Sequence, residues 1–292
     1  MKPPTLIFYP QMRKVVGHYI ASPHHRGEVL LPIEEFEQSH PLAGPVVVVG
    51  RGGHYHHYDL DHIRALREQG LIPTAEDTTL VLFDWHEDLD HDPRGTELGN
   101  GTWAYLGLEG GAYANVYAVG VNPRGWNEMN SVLWGEDEIH STTEETLRLL
   151  DRVHLFPLVA AHYCLKLFPE CESYLAENES VDQYFAVNEG GFVVVRFKGA
   201  DEVSYRARKA GLVVSIDLDV LRPSEVKADC PQGAMSVDGL LGHLNTLRRT
   251  GPVNAVLICG LVESPESQDD VSLESVARIM SLSSQIVGIE ED

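Results

Sequence analysis

Two short acidic stretches hold residues of the types that bind metal ions. In FDWHEDLDHD, residues 83–92, Asp84, His86 and Asp88 alternate along the chain. If that stretch is extended, the three side chains project to one side while Trp85 and Glu87 project to the other. In SIDLD, residues 215–219, Asp217 and Asp219 are again two apart and share a side. Carboxylates with an imidazole make a mixed O/N donor set, suited to Mn²⁺, Fe²⁺, Zn²⁺ or Co²⁺. Either stretch alone reads equally well as a solvated acidic loop. Together they would crowd four carboxylates into one place, which is unfavourable unless cations neutralise them. Two divalent ions would turn that crowding into a ligand set.

The flanking sequence says how the two stretches meet. Each follows a short buried β run: TLVLF (79–83) leads into Asp84, and LVVSI (212–216) leads into Asp217. Further strands are expected at PVVVVG (45–50), NVYAVGV (115–121) and AVLICGLV (255–262). Helices are expected near 58–69, closed by Gly70, at 141–151, at 236–249, closed by Gly251, and over much of 271–289. Strands that alternate with helices and carry continuous β-branched runs imply an α/β fold. It has three layers (α/β/α) and a mostly parallel sheet. Ligands in such sheets bind beyond the carboxyl ends of the strands, where both acidic stretches would fall. Residues 1–292 read as a single α/β domain. The 153–204 region, with its FVVVRF strand at 192–197, is either an insertion or a continuation of the sheet.

Composition narrows the partners. With 22 Lys+Arg against 44 Asp+Glu, the chain carries a net charge of −22. That argues against nucleic acid or an anionic membrane as partner, since phosphate binding needs clustered positive charge. A small-molecule substrate is expected, one that could be cationic, and a homo-oligomer is compatible with the chain. Cys164, Cys171, Cys230 and Cys259 form no CxxC pair and no zinc-finger spacing. Reduced, buried thiols fit a cytoplasmic protein. The N-terminus does not read as a secretory signal, and no apolar run approaches the roughly 20 residues that span a bilayer.

DWHED resembles the DAHxD motif of the arginase and agmatinase superfamily, the ureohydrolases. SIDLDVLRPS resembles its SxDxDxxDP motif, PQGAMS (231–236) its PGGLT-type segment, and LVESPE (261–266) its DLVEVNP segment. The four occur in family order. The histone-deacetylase branch shares this arginase/deacetylase-like fold but lacks the SxDxD form, so the sequence sits closer to the ureohydrolases. The resemblance implies a binuclear centre, with Mn²⁺ as the metal. Asp84 and Asp217 would each bridge the ions, Asp88 would complete one set, and His86 and Asp219 the other. The family's further histidine ligand lies in a GGDHS-type turn. Here that strand ends VVVVGRGGHYHHYD, so His54, His56 and His57 are candidates. His54 directly follows the Gly-Gly turn and ranks first, His56 second. Glu263 matches the glutamate that contacts guanidinium in arginases, although a strand-end salt bridge is an equal reading. His91 is a candidate proton shuttle or a solvent-facing loop residue.

The implied activity is metal-dependent hydrolysis of a C–N bond in a guanidino or linear amide compound, by a water activated between the ions. Several departures separate this chain from arginine and agmatine hydrolases. Trp85 replaces a small residue, Arg222 stands where an aspartate is usual, and the histidine turn is not GGDHS. GNGT (99–102) resembles the substrate loop without its histidine. Two other readings stay open: a catalytically silent metal-binding or interaction protein with this fold, and a two-metal phosphoesterase, whose usual GNHD run is absent.

Overall fold

The computed structural model describes residues 3–38, 44–52, 55–86, 88–89, 97–121, 152–158, 161–166, 184–188, 192–197, 199–205, 211–262 and 268–287. Among them, eight strands form one sheet: β1 (Thr5–Phe8), β2 (Val29–Pro32), β3 (Val46–Val49), β4 (Thr78–Phe83), β5 (Asn115–Val119), β6 (Val153–Phe156), β10 (Gly211–Asp217) and β11 (Val253–Cys259). Their order is β2-β1-β3-β11-β10-β4-β5-β6. Every pairing in it is parallel.

Valine and leucine runs make the central strands because both faces of the sheet are covered. Each residue of β3, β4 and β10 is buried. Alternation then sends neighbours to opposite cores. Val46, Val48, Leu80 and Leu82 join one core with Ile33 of α2 (Ile33–Gln38), Leu60, Ile63 and Leu66 of α3 (Tyr58–Glu68), and Trp103 and Leu108 of α4 (Trp103–Glu109). Val47, Val49, Val81 and Phe83 join the other. That core takes Val15 and Tyr19 of α1 (Arg13–Ala21), Leu240 and Leu244 of α5 (Val237–Thr250), and Val276 and Met280 of α6 (Asp270–Ile286). The result is three layers, α/β/α.

Caps set the helix starts as the sequence suggests. The Ser236 side chain accepts a hydrogen bond from Gly239 N at 3.0 Å. The Asp269 carboxylate accepts one from Ser272 N at 2.8 Å. Each satisfies an otherwise unpaired amide of a first turn.

The 153–204 stretch divides. β6 extends the main sheet, whereas β7 (Ala161–Lys166), β8 (Tyr184–Asn188) and β9 (Phe192–Phe197) form a separate antiparallel sheet of order β7-β9-β8. The helix expected at 141–151 lies outside the described residues. No helix among the described residues is long and apolar enough to cross a membrane.

Parallel register brings the chemistry to one edge. Ile216 of β10 pairs with Phe83 of β4, so Asp217 and Asp84 emerge side by side. Asp217 pairs with Cys259 of β11 on its other flank, and Ile258 pairs with Val49 of β3. The segments after β3, β4 and β10 therefore leave the sheet together.

Candidate metal centre

His56, in the turn between β3 and α3, points its Nδ1 into the carboxylates. That atom lies 2.9 Å from Asp88 Oδ2, 3.2 Å from Asp84 Oδ2 and 3.4 Å from Asp217 Oδ2. On the other side of Asp84, His86 Nδ1 lies 3.6 Å from Asp84 Oδ1 and 3.0 Å from Asp219 Oδ2. Two ligand-type groups share Asp84, His56–Asp84–Asp217 and Asp84–His86–Asp219, and a third is His56–Asp59–Cys259.

Backbone amides hold the carboxylates in place. His86 N donates to Asp84 Oδ1 at 2.7 Å, Asp219 N to Asp217 Oδ1 at 3.0 Å, and Trp85 N to Asp219 Oδ1 at 3.1 Å. Each bond needs the chain to turn just after the strand, which leaves the second oxygen of each acid free to face the others. Asp88 has a left-handed backbone, φ 54°, uncommon for a residue with a side chain. Helix α4 holds it there. Ala104 N and Tyr105 N donate to the Asp88 carbonyl at 3.0 and 3.3 Å, and Trp103 Nε1 donates to its carboxylate at 2.5 Å.

The electrostatics of the cluster suit a metal site. Asp84, Asp88, Asp217 and Asp219 are at most 4% exposed. Among the described residues, histidine is the only basic side chain paired with them. Burial, then Asp219 and Asp84, push the Asp217 carboxyl well above the usual range. Burial and Asp84 raise Asp219 to about 6, against the pull of His86. Hydrogen bonds to Asp219 and Asp84 push His86 up to about 12. Burial disfavours a charged His56, but Cys259 and hydrogen bonds with Asp59, Asp84 and Asp88 outweigh it and hold the ring well above its ordinary value. Burial, reinforced by Asp217, pushes the Cys259 thiol well above its ordinary value. Protons alone thus hold the cluster together in the absence of cations. Buried carboxylates backed by two imidazoles fit divalent ions of the Mn²⁺ type in number, charge and donor atom.

The three histidine candidates separate. His56 joins the cluster. His57 Nδ1 instead bonds Asn100 Oδ1 of the GNGT stretch at 2.8 Å. His54 lies outside the described residues, as do His91 and Glu263. Trp85 is accommodated by Gly233 of PQGAMS: a Cβ there would fall 2.8 Å from the indole Cε3. Gly233 N also donates to the Asp219 carbonyl at 2.6 Å. Arg222 stays half-exposed beside Glu225, 3.2 Å away.

Sequence reasoning missed Trp103, Ser215, Asp59 and Gly260. Gly260 follows β11 with φ +90°, and a Cβ on it would collide with the Asp217 carboxylate. Gly260→Ala is expected to cost about 1–2 kcal/mol from the left-handed backbone alone and to weaken metal binding by displacing Asp217. Chemical denaturation and a Mn²⁺ titration check both effects. A variant that matches the parent in both would mean the backbone relaxes freely there.

No family model matches the chain, and no curated protein matches it in sequence. Solved structures do match over nearly its full length. A triple mutant of the arginase-like protein of T. brucei, bound with Mn²⁺, aligns over 99% of this chain and 92% of its own, at 15% identity and a TM-score of 0.54. Formimidoylglutamase from Bacillus subtilis aligns over 98% and 87%, at 15% identity and a TM-score of 0.54. Proclavaminate amidino hydrolase from Streptomyces clavuligerus aligns over 98% and 91%, at 12% identity and a TM-score of 0.61. The likeness is one of fold: this chain has the three-layer architecture of the arginase type.

Proposed function

We propose that the protein is a binuclear-metal-dependent hydrolase acting on a C–N bond of a guanidino or linear amide compound. The observation that carries this reading is the pair of ligand groups sharing Asp84, at the carboxyl edge of a parallel sheet. One ion would take His56, Asp84, Asp88 and Asp217, and the other Asp84, His86, Asp217 and Asp219. Bound divalent ions supply Lewis acidity and make water a better nucleophile near neutral pH. The named functions of two structural neighbours, formimidoylglutamase and amidino hydrolase, support a C–N bond as the target. Mn²⁺ is the proposed metal, in line with the Mn²⁺ named for the T. brucei mutant.

The chain's own residues have distinct tasks in this reading. His56, Asp84, Asp88, Asp217 and Asp219 are buried, whereas the His86 side chain is 31% exposed. Substrate therefore approaches from the His86 side. Glu263 is proposed to contact a cationic guanidinium, and His91 to carry a proton to or from the leaving group. A cytoplasmic location is part of the proposal, supported by free thiols at Cys230 and Cys259.

The test is urea and ammonia release by the Mn²⁺-loaded protein across guanidino compounds and linear amides, with phosphate esters as a control panel. Turnover of a guanidine or amide that disappears on chelation is expected. Bound metal without turnover would make the chain a silent binding protein, and phosphate-ester cleavage would move it to another reaction class.

A further inference from the structure

Behind His56, on the side away from the carboxylates, lies a second polar cluster. His56 Nε2 is 2.8 Å from Ser215 Oγ, and Ser215 Oγ donates to Asp59 Oδ2 at 2.6 Å. Because the hydroxyl hydrogen goes to Asp59, the serine oxygen has lone pairs left for His56, and Nε2 is the donor. Asp59 Oδ2 lies 3.5 Å from His56 Nε2 itself. Asp59 Oδ1 lies 3.6 Å from His62 Nδ1, and the far nitrogen of that ring, Nε2, is 3.0 Å from the Tyr9 hydroxyl. Asp59, Ser215 and His62 are all buried. Asp59 and His62 stand three and six residues beyond His56, so one face of α3 presents both.

A buried carboxylate needs a reason. Among the described residues, the ion-pair partners of Asp59 are His56 and His62. Its oxygens run through Ser215 to the one histidine whose opposite nitrogen meets Asp84, Asp88 and Asp217. A ring that must offer a lone pair at Nδ1 has to carry its proton at Nε2. An anion behind Nε2 fixes that tautomer, orients the ring and makes Nδ1 more basic.

We propose that Asp59 is a positioning residue of the metal centre: through Ser215 it holds His56 as the Nε2–H tautomer with Nδ1 presented as a ligand. The proposal rests on the metal-centre reading above. It makes Asp59 specific to one ion, because of the two groups that share Asp84, His56 belongs to one and His86 to the other.

The test is Mn²⁺ binding to the full chain, followed through both sites, in the parent and in Asp59→Asn, Asp59→Ala and Ser215→Ala. The expected result is a loss of about 10–100-fold in affinity for one ion in Asp59→Ala, with the other ion held nearly as in the parent. Ser215→Ala weakens the same ion. Asp59→Asn keeps an acceptor for the serine hydroxyl, so its loss is smaller. In the Zn²⁺-loaded parent, ¹⁵N NMR should show His56 protonated at Nε2, with that proton exchanging faster in Asp59→Asn. Parent-like affinity for both ions in every variant would overturn the proposal. Equal weakening of both ions, with a lower melting temperature of the metal-free variant, would also overturn it and make Asp59 a support of the fold. So would three ions in the parent and two in Asp59→Asn, since Asp59 would then be a ligand together with His56 and Cys259, which lie within reach of one ion. A parent that binds no Mn²⁺ overturns the metal centre itself, an outcome visible before any variant is made.

Discussion

Asp84→Ala is expected to cripple both metal sites at once. Asp84 is the carboxylate common to the two ligand groups, its oxygens facing His56 on one side and His86 on the other. Its removal deletes a donor from each set and the negative charge that lets two dications sit close together. The loss should exceed about a hundredfold for each ion, more than the removal of an indirect partner costs. Hydrolysis should fall to background. Asp88→Ala, by contrast, touches the set containing His56 and should weaken one ion, and Asp217→Ala should remove at least one. The metal-free Asp84→Ala protein is expected to stay folded, because deleting one of several crowded buried carboxylates relieves repulsion even as the hydrogen bond from His86 N is lost. Mn²⁺ titration and thermal melts on the three variants check the ranking. If Asp84→Ala retained one ion at parental affinity, the shared role would be wrong.

The second large effect is on pH. Metal binding should release at least two protons per chain near neutrality. His86 is pushed up to about 12 and His56 is held well above its ordinary value, so both rings are imidazolium in the metal-free protein. Each must lose a proton before Nδ1 can donate a lone pair. Two displaced protons raise the combined binding constant about a hundredfold per pH unit. The metal-free fold responds in the opposite sense. A histidine raised in the folded state contributes stability that is full below its unfolded value, 6.5, and is lost as pH climbs toward about 12 for His86. Asp219, raised from 3.8 to about 6, adds a penalty that grows through that window and is complete above it. The two shifts partly express one His86–Asp219 pair, so they do not simply add. Metal-free protein should therefore melt lower at pH 8 than at pH 6, while the stabilisation by Mn²⁺ grows. Calorimetry in buffers of different ionisation enthalpy counts the protons. A proton-neutral titration, or a metal-induced shift in melting temperature that shrinks with rising pH, would contradict the electrostatic picture.

Much of the centre was legible in the sequence because it is built by short-range rules. A β-branched run that ends in Asp places a carboxylate at a strand end, but the next ligand is not brought in by continued extension: the chain turns there, as in the 3-10 turn Leu218–Val220 after Asp217. TLVLF before Asp84 and LVVSI before Asp217 are such runs, and parallel register brings the two ends together. The histidine turn obeys no such rule. His54, His56 and His57 are one to three residues apart, and which of them faces the acids depends on where α3 begins. In the structure α3 begins at Tyr58, which leaves His56 in the turn above the carboxylates and His57 beside Asn100. Asp59 and His62 could have been paired from their helical spacing. The partner of Asp59 that ties it to His56, however, is Ser215 on β10, more than 150 residues away in the chain.

Other elements were hidden for different reasons. The β1 and β2 strands are four residues each, as β3 is, but TLIF and VLLP lack its unbroken β-branched run. Helix α4 has seven residues and begins at an aromatic without a side-chain cap, so no start signal marks it, although it supplies Trp103 to Asp88. FVVVRF reads correctly as a strand, but its antiparallel partners β7 and β8 follow from long-range pairing that local pattern does not encode.

The most direct test of a binuclear centre organised around Asp84 is anomalous scattering from crystals of the Mn²⁺-loaded protein. Two peaks about 3.5–4 Å apart are expected, with Asp84 and Asp217 touching both, His56 and Asp88 on one, and His86 and Asp219 on the other. A single peak, or ions bound away from Asp84, would contradict it.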